Sequence, residues 1–310
     1  MYPIPSSPAR TPATPRDAYR LSRPYHRALL DNLHLRLFEA DALPISDTWN
    51  TRRVQSSFWR FYRNANDGAA LELEEAGDGR AAAAEAEARL YPLQRGRLYF
   101  VPAGVRFSCR CAAAAVAHFY VHFDVLGLPS LALRELFARP IGLPPDDALE
   151  GRAGEIAAAL AAGAPRDDLA LQCRIKALLY EGLARHLEAV PADARERSLR
   201  RAARLAPVLP ALEHIEAHLA ERLPNARLAA CCHLSGDHFL RRFRDCVGQT
   251  PAQYLLERRV TIAAQRLLFT DDSIERIAEG TGFGNRFYFS RVFTRRLGVS
   301  PAAYRKASRV

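Results

Sequence analysis

Arginine side chains recur at matching positions in two segments near the C-terminal end of the chain. Arg241 and Arg291 lie 50 residues apart, and each follows a phenylalanine by two residues, Phe239 in the first segment and Phe289 in the second. A guanidinium group is a planar fork of donors that fits the edge of guanine or a phosphate group. We therefore expect both arginines, together with Arg286 in the second segment, to contact a polyanion.

The agreement between the two segments extends well beyond the arginines. Leu234 aligns with Phe283 at an offset of 49, and an offset of 50 then aligns Phe239/Phe289, Phe243/Phe293, Gly248/Gly298, Pro251/Pro301 and Tyr254/Tyr304. One extra residue in the second copy explains the change of offset. Such a match indicates a duplicated supersecondary unit. In each copy the spacing predicts a short helix, a tight turn and a second helix, which is the architecture of a helix-turn-helix.

A long helix is predicted between the two copies. Thr250 is a favourable N-cap residue, Pro251 suits the first helical position, and apolar residues recur from there to about Phe269. About 19 residues at ~1.5 Å each span ~28 Å. A rigid spacer of that length would place the two second helices close to one turn of DNA, ~34 Å, apart.

The charge of the chain is concentrated in the same region. The 310 residues include 44 Lys and Arg against 34 Asp and Glu, a formal net charge of +10. Residues 201–310 hold 18 of the basic and 10 of the acidic residues, so they contribute +8, and the first 200 residues contribute only +2. This distribution favours a polyanion-binding C-terminal domain behind a nearly neutral N-terminal one.

The N-terminal part has a different texture. Residues 1–24 are rich in proline and predict a disordered tail, and from about Tyr25 to Pro129 apolar residues alternate in short runs separated by turn residues. These runs predict an antiparallel β-barrel or sandwich. The alanine-rich run 81–88 fits either a helix or a hairpin arm. After Pro129 an apolar spacing of three to four residues predicts helices, either as a dimerisation element or as a packing element.

The chain contains no obvious catalytic or metal-binding motif. We expect its six cysteines to be reduced, and Cys109 and Cys111 to share one face of a strand, either as a metal or redox pair or as buried residues. His118 and His122 also face one side, but no His-x-His pair accompanies them, so we expect no metal and no cofactor. With neither a signal peptide nor a membrane span, the sequence predicts a cytoplasmic location.

The last hundred residues resemble the DNA-binding domain of the AraC/XylS family of bacterial transcription regulators. The most specific match runs from Gly282 to Phe293, followed by Gly298-Val-Ser-Pro and Tyr304-Arg305. The resemblance implies a DNA-binding activator of transcription whose partners are double-stranded DNA, RNA polymerase and a second copy of the chain. By position, it implies DNA contacts from Asp237, Leu240, Arg241, Asn285, Arg286, Phe287, Ser290 and Arg291.

Two of these positions have an alternative role. Asp237 either accepts a bond from cytosine or caps its helix, and Arg241 either contacts DNA or forms an ion pair with Asp237 four residues earlier. Both alternatives arise in the first unit, where an acidic and an apolar residue, Asp237 and Leu240, stand on the face that should meet DNA.

The N-terminal part resembles the cupin-like effector domains attached to such DNA-binding domains. The similar residues are Tyr99–Gly104 and His118–Asp124. The resemblance implies a small-molecule effector, such as a sugar. Polar and aromatic residues expected to meet the effector, or otherwise to belong to the core, are Trp59, Arg60, Tyr62, Arg97 and His122.

The sequence thus predicts an α+β protein that is not an enzyme. The expected order is a tail at 1–24, a cupin-like antiparallel β-barrel domain at 25–130, a helical linker at 131–205 and an all-α domain of two helix-turn-helix units at 206–310. The alternative is a cupin-type enzyme fused to a DNA-binding module, which would need a metal site. An alkyl-transfer repair protein is disfavoured because no cysteine precedes Cys109.

Overall fold

The computed structural model describes residues 33–73, 89–126 and 136–307. The predicted tail at 1–24 and the alanine-rich run at 81–88 lie outside these ranges. None of the helices in the described ranges is long and apolar enough to cross a membrane.

The strands of the N-terminal part form two antiparallel sheets. Sheet A has the order β1-β8-β3-β6-β9 and sheet B the order β2-β7-β4-β5. The strands are β1 His34–Ile45, β2 Thr51–Gln55, β3 Trp59–Asn64, β4 Ala69–Leu73, β5 Arg89–Leu93, β6 Leu98–Val101, β7 Arg106–Cys111, β8 Val116–Leu126 and β9 Ile141–Gly142.

The predicted antiparallel β-barrel is not closed, because the described strands pair within two open sheets. The edge strand of sheet A, β9, is only two residues long and forms no ladder with β5, the edge strand of sheet B. A side chain of β5, Tyr91, contacts β9 instead. The Tyr91 hydroxyl accepts a hydrogen bond of 2.7 Å from the backbone N–H of Gly142. The architecture is therefore the sandwich alternative, with the two sheets linked at this edge by a side chain.

The two faces of sheet A bury different kinds of side chain. Successive residues of a strand point to opposite faces. Trp59 and Phe61 accordingly pack with Phe123 against helices, whereas Tyr62 packs with the side chains of sheet B, such as Phe107. The helices on the outer face are α1 Asp147–Ala161 and α2 Leu169–Ala189, and α3 Ala192–Ala203 follows them.

Side-chain caps fix the start of both packed helices. The carboxylates of Asp146 and Asp168 accept hydrogen bonds from the backbone N–H groups of Leu149 and Leu171. Buried leucines and isoleucines of the two helices share one core with sheet A. The region predicted as a linker therefore contributes directly to the core of the N-terminal part.

The C-terminal part is wholly helical. After a 3₁₀ turn, Ala206–Val208, come α4 Leu209–Ala217, α5 Asn225–Cys231, α6 Gly236–Val247, α7 Pro251–Phe269, α8 Ile274–Gly280, α9 Arg286–Leu297 and α10 Pro301–Ala307. The apolar spacing between Pro207 and Leu223 predicts one helix over that whole range, whereas α4 covers only Leu209–Ala217. The repeat appears as two matched pairs, α5 with α6 and α8 with α9, whose helices have equal lengths of 7 and 12 residues.

The spacer helix α7 belongs to both units. Its Leu255 lies in a core with α4, α5 and α6, and its Val260, Ala263 and Leu267 lie in a second core with α8 and α9. The predicted cap is present as a full capping box, in which Thr250 and Gln253 exchange side-chain and backbone bonds. One continuous helix therefore fixes the separation of the two units.

Candidate nucleic-acid interface

The turn inside each helix-turn-helix unit is held in the same way. The backbone N–H of Leu234 bonds to the carbonyl of Ala229, and that of Phe283 bonds to the carbonyl of Ala278. The residue before each anchor has a left-handed backbone, with φ of 53° at His233 and 79° at Gly282. A Cβ atom at Gly282 would lie 2.8 Å from the carbonyl oxygen of Leu219, so only glycine fits there.

The start of α9 is ordered by a cap. The Asn285 side chain accepts a hydrogen bond of 2.8 Å from the backbone N–H of Tyr288. The side-chain oxygen of Asn285 is therefore engaged within the helix, and a ligand can be contacted only by the side-chain NH2 group. The predicted contact residue Asn285 thus also has a structural role, which positions Arg286 and Phe287 in the first turn.

The exposed face of α9 is cationic and aromatic. Arg286 and Arg291 are exposed, and the Arg291 guanidinium lies 5.7 Å from the ring centroid of Tyr288, which orders the long side chain. The side chain of Phe287 is 81% exposed, whereas Phe289 and Phe293 of the same helix are fully buried. Ser290 lies half-buried on the same helix.

The corresponding face of α6 is weaker. Asp237 and Arg241 are exposed, and the ion pairs of the described residues include none between them. Leu240 is half-buried and packs on the core of the first unit. Ser235 occupies the N-cap position of α6, but its side chain makes no capping bond. The first unit therefore offers fewer groups than the second for recognising a base.

The arginines of the C-terminal part fall into two groups. One group is tied into the protein: Arg258 bonds Glu216 at 2.6 Å, Arg259 bonds the Leu219 carbonyl at 2.7 Å, and Arg305 bonds the Leu267 carbonyl at 3.2 Å. The other group is exposed on the second helices, with no ion pair among the described residues. Besides the predicted arginines, it includes Arg242, Arg244, Arg295 and Arg296. None of these four arginines is among the contact residues predicted from the sequence, although all four are exposed on the second helices.

Three of the five predicted effector residues come together between the sheets. Arg60 and Tyr62 of β3 point to the same side as His122 of the adjacent β8, which pairs with Arg60 in the strand register. The Arg60 guanidinium lies 4.6 Å from the ring centroid of Phe58 and 5.3 Å from that of Phe107.

The other two predicted effector residues lie elsewhere. Trp59 faces the outer side of sheet A, where its ring packs edge-on against Phe137 at 4.9 Å. Arg97 sits before β6 and donates a bond of 3.4 Å to the Leu143 carbonyl. Because strand residues alternate between faces, Trp59 and Arg60 cannot line the same space.

The cysteines and histidines considered as metal ligands have other surroundings. Cys109 and Cys111 are both buried, and His118 lies 2.7 Å from the side-chain oxygen of Asn64. The part of the chain that the structure describes contains no group of three or more His, Cys, Asp or Glu side chains placed to hold a metal ion.

The C-terminal part is docked on sheet A through α7. Gln265 is 3% exposed, and its side-chain amide donates hydrogen bonds to the Ser57 carbonyl at 2.9 Å and to Asp124 Oδ2 at 3.0 Å. At the end of α7 the ring of Phe269 stacks on Phe38 with centroids 4.7 Å apart. The helix that joins the two units is therefore also the helix that contacts the N-terminal sheets.

Comparison with known proteins identifies the C-terminal part. Residues 228–307 match the family model described as a helix-turn-helix domain. The MmsAB operon regulatory protein of Pseudomonas aeruginosa is 40% identical over 96 residues, 31% of this chain and 31% of that protein. The uncharacterized HTH-type transcriptional regulator YisR of Bacillus subtilis is 33% identical over 147 residues, 46% of this chain and 47% of that protein.

Among solved structures, the DNA-binding domain of AdpA in complex with a target DNA is 37% identical, with a TM-score of 0.32, and the match covers 33% of this chain and 93% of that chain. The chain spans between about a third and a half of the length of the curated relatives named here. The predicted resemblance to the AraC/XylS family is confirmed for the C-terminal part, and residues 228–307 form an AraC-type helix-turn-helix domain.

Proposed function

We propose that this protein is a sequence-specific DNA-binding regulator of transcription that responds to a small molecule. The observation that carries the proposal is the pair of helix-turn-helix units on one shared helix, each with exposed arginines on its second helix that form no ion pair among the described residues. The names of the matched relatives, which describe operon and transcriptional regulators, support the same function.

The proposed mode of binding places α6 and α9 in successive major grooves on one face of the DNA. The 19 residues of α7 span ~28 Å, close to the ~34 Å of one helical turn. In α9, Arg286 and Arg291 read guanine edges or hold phosphates, and Phe287 contacts a thymine methyl group. In α6, Arg241 is the main cation, and Asp237 accepts a bond from cytosine.

The remaining predicted groups have supporting roles. The Asn285 amide and the Ser290 hydroxyl suit phosphate or base contacts, and Leu240 contributes an apolar surface at the edge of the interface. Further phosphate contacts come from Arg242, Arg244, Arg295 and Arg296. Because such contacts release counterions, the affinity of residues 206–310 for DNA should fall steeply as salt is raised.

We propose that the two-sheet domain, about residues 25–130, is the cupin-like effector domain and that 131–205 provides the dimerisation surface. The family resemblance suggests a sugar as the effector, and the regulator would act in the cytoplasm as a homodimer that contacts RNA polymerase. An effector changes the response only if it binds two domain arrangements with different affinity. The described residues give the alternative of a cupin-type enzyme no support.

The proposal is tested by selecting DNA from a random pool with the full chain and measuring the affinity for the selected site. Arg291→Ala should weaken binding by at least about 1 kcal/mol, roughly fivefold in Kd. The control is Arg110→Ala, which removes an equal charge from β7, where Arg110 pairs with Glu72 at 2.9 Å. Equal affinity of the Arg291 variant and the wild type, with both folded, would refute the assignment.

A further inference from the structure

Two histidine rings stack at the C-terminal end of α4. His214 lies in the last turn of the helix, and the backbone N–H of His218 bonds the His214 carbonyl at 3.1 Å, so the helical spacing continues to His218. Residues four apart on a helix lie on one face. The centroids of the two rings are accordingly 4.3 Å apart, with an angle of 32° between the ring planes. Neither histidine was expected from the sequence to bind a metal.

One ring nitrogen of this pair is buried without a partner. Nε2 of His214 is covered by protein and forms no hydrogen bond with any residue in the described ranges. Burial, and after it the neighbouring His218, lowers the pKa of His214, so its ring is neutral at pH 7. A buried polar atom that is left unsatisfied costs free energy. A neutral imidazole nitrogen can regain a partner by binding a metal ion.

The second ring is oriented by a carboxylate. Nδ1 of His218 lies 2.6 Å from Glu221 Oε1, and Glu221 Oε2 accepts a hydrogen bond of 2.8 Å from Arg227. These two contacts, that of His218 first, lower the pKa of Glu221. The ionised carboxylate can only accept, so Nδ1 of His218 is the donor and the lone pair of the neutral ring is on Nε2. Histidines that bind metals commonly donate their other ring nitrogen to a carboxylate in this way.

We propose that His214 and His218 bind a divalent transition metal ion such as Zn²⁺ through their Nε2 atoms. Two nitrogens that each lie ~2.0–2.1 Å from one zinc ion are at most ~4.2 Å apart, a separation that the stacked rings reach by a small rotation. Imidazole suits zinc, copper and nickel, whereas Mg²⁺ prefers oxygen. The described residues include no group of three or more metal-binding side chains, so the remaining coordination positions belong to water or to an incoming ligand.

The site lies where the two helix-turn-helix units meet. Arg259 of α7 donates hydrogen bonds to the carbonyls of Leu219 at 2.7 Å and of Glu221 at 2.6 Å. The Leu219 carbonyl also lies against Gly282, in the turn of the second unit. A metal ion that fixes the His218 ring therefore orders a segment that contacts both units. Its binding should stabilise the C-terminal part, whether or not that part binds DNA as proposed.

The test titrates the full chain with Zn²⁺ and with Mg²⁺. Zn²⁺ should raise the unfolding temperature and give a Kd by calorimetry, and Mg²⁺ should do neither. His214→Gln and His218→Gln should each weaken zinc binding at least about tenfold, and Glu221→Gln should weaken it by about tenfold to a hundredfold, because it removes the carboxylate that orients His218. The matched control is His238→Gln, which removes an exposed histidine of α6 and should bind zinc as the wild type does.

A second measurement identifies the ligand atoms, because thiols also bind zinc. Cys231 and Cys232 are free and adjacent in the sequence. Co²⁺ bound by thiolate has a charge-transfer band in the near ultraviolet, and Co²⁺ bound by imidazole lacks it. We expect no such band in the wild type, and the same spectrum from the double variant Cys231→Ser/Cys232→Ser.

Circular dichroism establishes that each variant is folded, and either histidine variant suffices if the other does not fold. A zinc affinity that is unchanged in the histidine variants, a thiolate band that disappears in the cysteine variant, an equal response to Mg²⁺, or no response to Zn²⁺ would each overturn the inference. Loss of zinc binding in the histidine and Glu221 variants, with the His238 control unchanged, would support it.

Discussion

Replacing Gln265 with leucine should release the DNA-binding part from the N-terminal sheets. The substitution retains most of the side-chain volume but removes both hydrogen bonds that cross the interface, to the Ser57 carbonyl and to Asp124. Asp124 is buried, and burial raises the pKa of its carboxyl, so the lost donor is one of the groups that keep the carboxylate stable there.

The size of the effect follows from the two bonds. A neutral hydrogen bond contributes about 1 kcal/mol and a bond to a charged group about 1.5–3 kcal/mol. Together they give a loss of about 2.5–4 kcal/mol from the free energy of docking. The stacking of Phe269 on Phe38 is retained, so we expect weakened docking without unfolding of either part.

Scanning calorimetry of the full chain measures the result. The wild type should unfold with its two parts coupled, and Gln265→Leu should separate the transition into two, with α7 becoming more accessible to proteolysis. Gln249→Leu is the matched control, because its amide bonds Glu257 at 3.0 Å within the C-terminal part. If the two variants leave the transitions equally coupled, the hydrogen bonds of Gln265 do not hold the parts together.

Three further changes have expected outcomes. Phe287→Ala should weaken DNA binding and abolish any difference between selected DNA containing thymine and the same DNA containing uracil; a persistent difference would exclude a methyl contact by Phe287. His233→Gly should raise stability in chemical denaturation by up to about 1 kcal/mol, because it relieves a left-handed backbone at a non-glycine residue. Burial lowers the pKa of His118 to about 3 and that of His122 to about 4, so each ring stays neutral in the folded chain at pH 5, where the unfolded chain protonates it. Each histidine should therefore reduce the free energy of unfolding by about 2 kcal/mol between pH 7 and pH 5, and His118→Gln should remove about half of the combined loss in urea denaturation.

The C-terminal part was largely predictable because its signals are local. The cap at Thr250 depends on residues within one helical turn, and each copy of the duplicated unit has its own local helix and turn pattern; the structure contains the cap and both helix pairs as expected. The shorter α4 is the exception in this region, since its apolar spacing continued beyond the point at which the backbone leaves the helix.

The N-terminal part was less predictable because its determinants are distant in sequence. Alternation along β3 separates Trp59 from Arg60, but only the packing of α1 and α2 decides which face is covered by helices. The link between the two sheets at this edge likewise depends on the hydrogen bond between Tyr91 and Gly142, which are 51 residues apart in the sequence. The contact of Gln265 with Asp124 joins residues 141 positions apart and left no local pattern to find.

Because the two helix-turn-helix units share α7, each unit needs only a low affinity for DNA by itself. In the proposed mode of binding, α7 holds α6 beside the neighbouring groove once α9 has bound its own groove, so the second contact would form at a high effective concentration. In that proposed mode, a modest surface formed by Asp237, the half-buried Leu240 and Arg241 would be sufficient for the first unit. Avidity between two unequal halves, rather than the strength of either half, would set the overall affinity for DNA.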